Sequence, residues 1–202
     1  MRRPFFSGCP QIGGRGALLR NYDFAPDHCA ATIVSSPFLR PAPPAGTVAP
    51  SGPAGPDTPD GYRRVHDAAG FTVDVPRGWR RTQRTGGVFY QSPGETSLIQ
   101  IFRMTAPDET PYDALKSADR SLSGQPGYRR IRLEKTGSGK AAAAELEYAY
   151  TSPKLGPRRV LDRVLTGDEG VRYGVVLADP ADRWLEQRAR QEVVLRSFSA
   201  PR

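Results

Sequence analysis

The side chains in this sequence best able to grip a partner are arginines at strand spacing: Arg129, Arg130 and Arg132 in YRRIRLEK, and Arg158, Arg159 and Arg163 in RRVLDRVLT. A guanidinium carries a fixed charge and a planar fork of donors, so such a set can hold the acidic groups of a protein or a small ligand. Side chains alternate along a strand, and only three or four of the six can share one face. Arg130, Arg132, Arg158 and Arg163 are the expected partner surface. Cross-strand pairing with Glu134, Glu145, Glu147 and Asp162 is the competing expectation.

Other candidate chemistry is thinner. His66 next to Asp67 could form a base and its orienting acid, but no nucleophile motif such as G-x-S-x-G accompanies them. EKTGSGKAAAA places Gly139 and Lys140 as in a phosphate loop, yet Glu134 stands where that loop needs a glycine and Ala141 where it needs Ser or Thr. A hairpin turn is expected there. Cys9, Asp27, His28 and Cys29 do not reach the four ligands at constrained spacing that tetrahedral zinc requires. Neither a metal, nor a cofactor, nor a catalytic residue is expected.

The elements that must position the arginines can be read from periodicity. In GFTVDVP, Phe71, Val73 and Val75 alternate with polar residues, Pro76 stops the strand, and Trp79 follows as a ring to close one end of a core. Further strands are expected at Val88–Ser92, Ser97–Met104, Tyr128–Lys135, Ala142–Thr151, Arg158–Thr166 and Val171–Ala178, separated by short turns that favour antiparallel pairing. Several are apolar on both faces, so helices must cover the sheet. Two helices share one start pattern: Thr110 before Pro111, and Asp179 before Pro180, each with an acid in the first turn. The second helix, running to about Phe198, is expected to bury Trp184, Leu185, Ala189, Val193, Leu195 and Phe198.

Composition sets the organisation. Residues 41–60, PAPPAGTVAPSGPAGPDTPD, offer no large apolar side chain and read as a linker between a segment 1–40 and a domain 61–200. The formal charge of +8 comes mostly from arginine interleaved with acids, a solvated surface and not a nucleic-acid face. The domain has no cysteine, so it needs no disulfide and discloses no compartment. No run of about 18 apolar residues exists, and the first residues lack the apolar core of an export signal, so a soluble chain without a membrane segment is expected.

The order GYRRVHDAAGFTVDVPRGW, VFYQSPGETSLIQIF, GYRRIRLEKT, AAAAELEYAYTS and RVLTGDEGVRYGVVLADPADRW resembles the extracytoplasmic C-terminal domain of actinobacterial serine/threonine protein kinases. That resemblance covers residues 61–200. It implies an α+β domain of PsbP-like fold, also similar to LpqN-type lipoproteins: a twisted antiparallel sheet flanked by helices, outside the cytoplasm. It also implies a non-catalytic sensor or protein-binding module whose partner is an unknown protein or small ligand. The motifs of a kinase catalytic domain are not in the sequence, which speaks against phosphoryl transfer. A small-ligand carrier is an alternative. The segment GCPQIGGRGALLRNYDFAPDHCAATIVSS is similar to the start of cysteine N-terminal nucleophile hydrolases of the acyltransferase and choloylglycine hydrolase kind. By that resemblance Cys9 is the nucleophile position, Arg20 and Asp23 are pocket residues, and residues 1–40 are a truncated remnant or a disordered segment.

Overall fold

The structure, a computed structural model, describes residues 58–104, 109–167 and 170–200. The expectations placed on residues 1–40, including Cys9, Arg20, Asp23, Asp27, His28 and Cys29, and on the linker up to residue 57, lie outside the described residues.

The described residues begin with an antiparallel hairpin of β1 (Tyr62–His66) and β2 (Thr72–Pro76), whose Thr72 also bridges to Ser199 near the end of the chain. Seven strands form the main sheet: β3 (Arg80–Arg84), β4 (Gly87–Gln91), β5 (Leu98–Arg103), β6 (Arg129–Lys135), β7 (Ala143–Ser152), β8 (Gly156–Thr166) and β9 (Arg172–Pro180). Their order across the sheet is β3-β4-β5-β9-β8-β7-β6, every pair antiparallel, with β3 and β6 at the two edges. Helix α1 (Pro111–Leu122) enters between β5 and β6, and α2 (Trp184–Ser197) closes the chain. No helix among the described residues is long and apolar enough to cross a membrane.

Both sheet faces are covered, which is why β5 reads as the nearly unbroken apolar run LIQIFR. On one face α1 packs over β6, β7 and β8. Its Ala114, Leu115, Ala118 and Leu122 join Phe102, Leu146, Tyr148 and Val164 in one cluster. Gly174 makes room on this face, because a Cβ there would stand 2.2 Å from the Phe102 ring on the neighbouring strand. On the opposite face the β1–β2 hairpin and α2 enclose a second cluster of Phe71, Val73, Val75, Trp79, Ile99, Val175 and Leu177. Trp79 is buried at 8% exposure beside Val73 and Val75, as its place after the Pro76 stop predicts.

The two helices start differently. Thr110 caps α1 through its hydroxyl, which accepts from the Asp113 amide at 3.2 Å. The matching expectation at Asp179 is corrected: β9 runs on to Pro180, a 3₁₀ turn spans Ala181–Arg183, and α2 starts at Trp184 without a side-chain cap. Asp179 is only 1% exposed and takes the Arg190 guanidinium instead, so its oxygens face the side of the helix and not its first amides. The buried side of α2 is corrected too. Gln187, Gln191 and Val194 face inward, whereas Leu185 is 84% exposed and Ala189 is exposed. Gln187 Nε2 donates to the carbonyls of Arg159 and Leu177, which lets a polar residue sit over the sheet.

Candidate functional site

Helix α2 packs on β2 and β9. Beside it, β6, β7 and β8 floor an open cleft of about 640 Å³. Strand alternation puts Arg132, Glu145, Leu161, Arg163 and Leu165 on this floor, and α2 supplies a wall of Arg188, Gln191, Leu195 and Arg196. Residues 188, 192 and 196 lie one turn apart on the helix, so Arg188, Glu192 and Arg196 form a single row.

The charges across the cleft are unevenly matched. Arg132 bonds Glu145 and stands 3.1 Å from Glu134 and 3.5 Å from Glu147, so one cation serves three carboxylates. Glu147 also accepts from Arg159 Nε at 2.7 Å, and the Arg159 guanidinium lies 3.3 Å above the Trp184 ring. That stack ties the start of α2 to β8. Arg163 comes no nearer to Glu145 than 3.7 Å, and its Nε, the Nε of Arg132 and the Nε2 of Gln191 have no acceptor among the described residues. Arg188 stands 5.8 Å from the Trp184 ring and acts on Glu145 through its charge without an ion pair to a described residue, and Arg196 makes no ion pair with a described residue either. Burial pushes the Glu145 carboxyl above the usual carboxylate range, against the pull of Arg132 and Arg163 and with help from Glu134.

A smaller cleft of about 360 Å³ lies on the other side of α2, where Arg64 and Asp74 pair at 2.9 Å beside Ser197 and Ser199. Arg196 borders both spaces.

Of the four arginines expected to share a surface, the structure brings Arg132 and Arg163 together in the larger cleft. A bulge between Arg130 and Arg132 shifts the register, and Arg130 pairs with Asp119 of α1 at 3.0 Å on the other face. Arg158 leaves the surface altogether, at 1% exposure, beside its cross-strand neighbour Tyr150. The physical reason is parity: residues 158 and 163 are an odd number apart on one strand and point to opposite faces. Burial lowers the Arg158 pKa while Tyr150 and Asp179 raise it, a balance that leaves it below the usual arginine value. Of the acids expected as cross-strand partners, Glu145 pairs with Arg132 and Arg163, Glu147 with Arg159 and Arg132, and Glu134 with Arg132.

His66 and Asp67 do not act together. His66 Nδ1 lies 3.0 Å from Thr72 Oγ1 on the surface. Asp67 is buried and accepts from Arg81 at 2.7 Å twice, from the Ala69 amide at 2.9 Å and from the Tyr90 hydroxyl. GSGK forms the turn between β6 and β7, with a 3₁₀ segment at Gly139–Ala141. The side chain of Lys140 lies outside the described residues. Sequence reasoning missed Arg188 and Arg196, for which the four-residue spacing of 188, 192 and 196 along α2 was the available signal, and Gln191, which lies off that spacing.

Comparison with known proteins adds the following. The family model described as serine/threonine kinase C-terminal domain matches residues 63–200. The solution structure of cyanobacterial PsbP (CyanoP) from Synechocystis is similar with a TM-score of 0.54 at 20% identity, covering 75% of this chain and 99% of that one. LpqN, involved in cell envelope biogenesis of Mycobacterium tuberculosis, matches with a TM-score of 0.48 at 18% identity, covering 70% of this chain and 91% of that one. The Saccharomyces cerevisiae Ran-binding protein Mog1p has a TM-score of 0.48 at 9% identity, over 69% of this chain and 95% of its own. Among curated proteins, none matches the chain. The likeness to CyanoP shows a PsbP-like fold.

Proposed function

Because the chain belongs to the serine/threonine kinase C-terminal domain family, we propose that it works as a non-catalytic sensor or protein-binding module, acting outside the cytoplasm through the cleft beside α2. The observation that carries this reading is the uneven cleft itself: a rigid strand floor, a helical wall and cations left without acceptors, all in one concavity of about 640 Å³. Concave sites of roughly 300 to 1,000 Å³ with a few convergent polar groups are where proteins hold ligands. Among the described residues the lining consists of Arg, Glu, Gln, Leu and Thr, a set whose guanidiniums and amide can hold an anionic partner. Recognition by charge and shape is what these groups can perform.

Hydrogen exchange of the full chain tests this, with a desalted small-molecule extract and, separately, an envelope-protein extract of the source cell. Slowed exchange over residues 158–166 and 184–197 with either extract is the expected result. Protection confined to β1–β2 or α1, or none with both extracts, overturns the reading.

A further inference from the structure

Three guanidiniums face one cleft without a hydrogen-bonded carboxylate. Arg163 keeps a long ion pair with Glu145 at 3.7 Å, Arg188 approaches a tryptophan ring and feels Glu145 only through its charge, and Arg196 has no ion-pair partner among the described residues. Meanwhile Glu134 and Glu145 are taken up by Arg132. Buried donors ordinarily find acceptors, so Gln191 Nε2, on a residue 3% exposed, and Arg163 Nε mark a place where acceptors are missing. Leu165 and Leu195, both partly buried, form an apolar strip on floor and wall, to which Leu161, at 2% exposure, adds little.

We propose that this cleft binds a small phosphate monoester with an apolar body, its three terminal oxygens taken by Arg163, Arg188 and Arg196 and its body laid over the leucine strip. The proposal rests on the reading of the chain as a binding module and deepens it. A phosphate monoester supplies nearly two negative charges and three acceptor oxygens, one for each guanidinium that lacks a hydrogen-bonded carboxylate, whereas a carboxylate supplies one charge and two oxygens. Charge balance agrees. The four arginines that line the cleft outnumber its three glutamates, a net positive charge that favours an anion. The apolar strip distinguishes an ester with a hydrocarbon substituent from free phosphate.

The test is an amide NMR titration of the full chain with inorganic phosphate, hexyl phosphate and hexanoate, each against sodium chloride of equal ionic strength. Hexyl phosphate is expected to shift residues 161–165 and 188–196 and to bind at least tenfold more tightly than inorganic phosphate or hexanoate. The double variant Arg188→Gln/Arg196→Gln is expected to lose at least tenfold in affinity with its spectrum otherwise preserved. Arg80→Gln, an exposed arginine on β3, is the control and keeps full affinity. Equal affinity for hexyl phosphate and hexanoate, shifts scattered over arginines throughout the surface, or no change in the double variant overturns the proposal. If hexyl phosphate fails while an extract still protects residues 158–166 and 184–197, the ligand class is wrong and the binding module stands. If neither acts, both fall.

Discussion

The sheet carries one helix on each face, and the two are held by different forces. Helix α1 lies on an apolar face, with Leu115 and Ala114 fully buried and a threonine cap at its start. Helix α2 starts without a side-chain cap, presents Gln187 and Gln191 to the sheet and is fastened by arginines: Arg190 to Asp179 and over Trp79 at 4.9 Å, Arg159 of β8 over Trp184. Apolar contacts are indifferent to salt and pH, while charged ones are screened and titrated. The α1 side is therefore fixed architecture, and the α2 side is the face whose environment can reach it.

The largest blow to that contrast comes from Trp79, one of the buried residues through which the α2 face also depends on apolar packing. Trp79→Ala is expected to cost about 3–5 kcal/mol in a urea melt, by removing a buried ring and leaving Arg190 without its stack. A midpoint unchanged from wild type would show that the ring is not part of the core. Next in size, Leu115→Ala on the α1 side should cost about 2–5 kcal/mol, equally at low and high salt. Asp179→Asn on the α2 side should cost about 1–2 kcal/mol at low salt, and less at 1 M. Equal salt dependence of the two would remove the distinction between the faces.

The smallest effects are in the pH profile, where two buried carboxyls differ in sign. Burial raises the Asp67 pKa, but hydrogen bonds from Arg81, Tyr90 and the Ala69 amide outweigh it and leave the pKa lowered. Its stabilisation is present above the unfolded value of about 3.8 and lost as pH falls through the lower folded value. Glu145 is raised, so the folded state holds its proton more tightly. Stability from that group is full below about 4.5 and declines as pH rises through the folded value. It is faced by Arg132 and Glu134 of β6, Glu147 of β7, Arg163 of β8, and Arg188, Glu192 and Arg196 of α2. Glu145→Gln should flatten the profile just above pH 4.5, and Asp67→Asn should remove the fall below it. Melts from pH 3 to 7 show whether each change stays on its own side.

Much of the fold was legible because the strands with a buried face carry the period-two signal, from Val73 and Val75 to Leu161 and Val164. The edge strand β3, RRTQR, was not, since neither face of it is strongly apolar and only its hairpin with β4 defines it. The first helix start was readable because the Thr110 hydroxyl stays with the first turn, accepting from the Asp113 amide and donating to the Asp113 carboxylate. At Asp179 the same letters failed, because a guanidinium eleven residues away draws the carboxylate inward. The site was half legible. Arg132 and Arg163 could be found from strand spacing, but Arg158 differs from Arg163 by an odd number, and Arg130 is turned aside by a bulge that no local pattern announces. The wall of α2 stayed hidden because a search for apolar residues reads past a helix whose inward face is glutamine.

The bulge between Arg130 and Arg132 has a consequence for crowding. It sits in one outermost strand, which also carries Arg129, Glu134 and Lys135, while the other outermost strand offers Arg80 and Arg84. A kinked, charged rim is a poor template for another copy to extend by backbone hydrogen bonds. Growth of the seven-stranded sheet onto a second copy is therefore disfavoured at both of its edges.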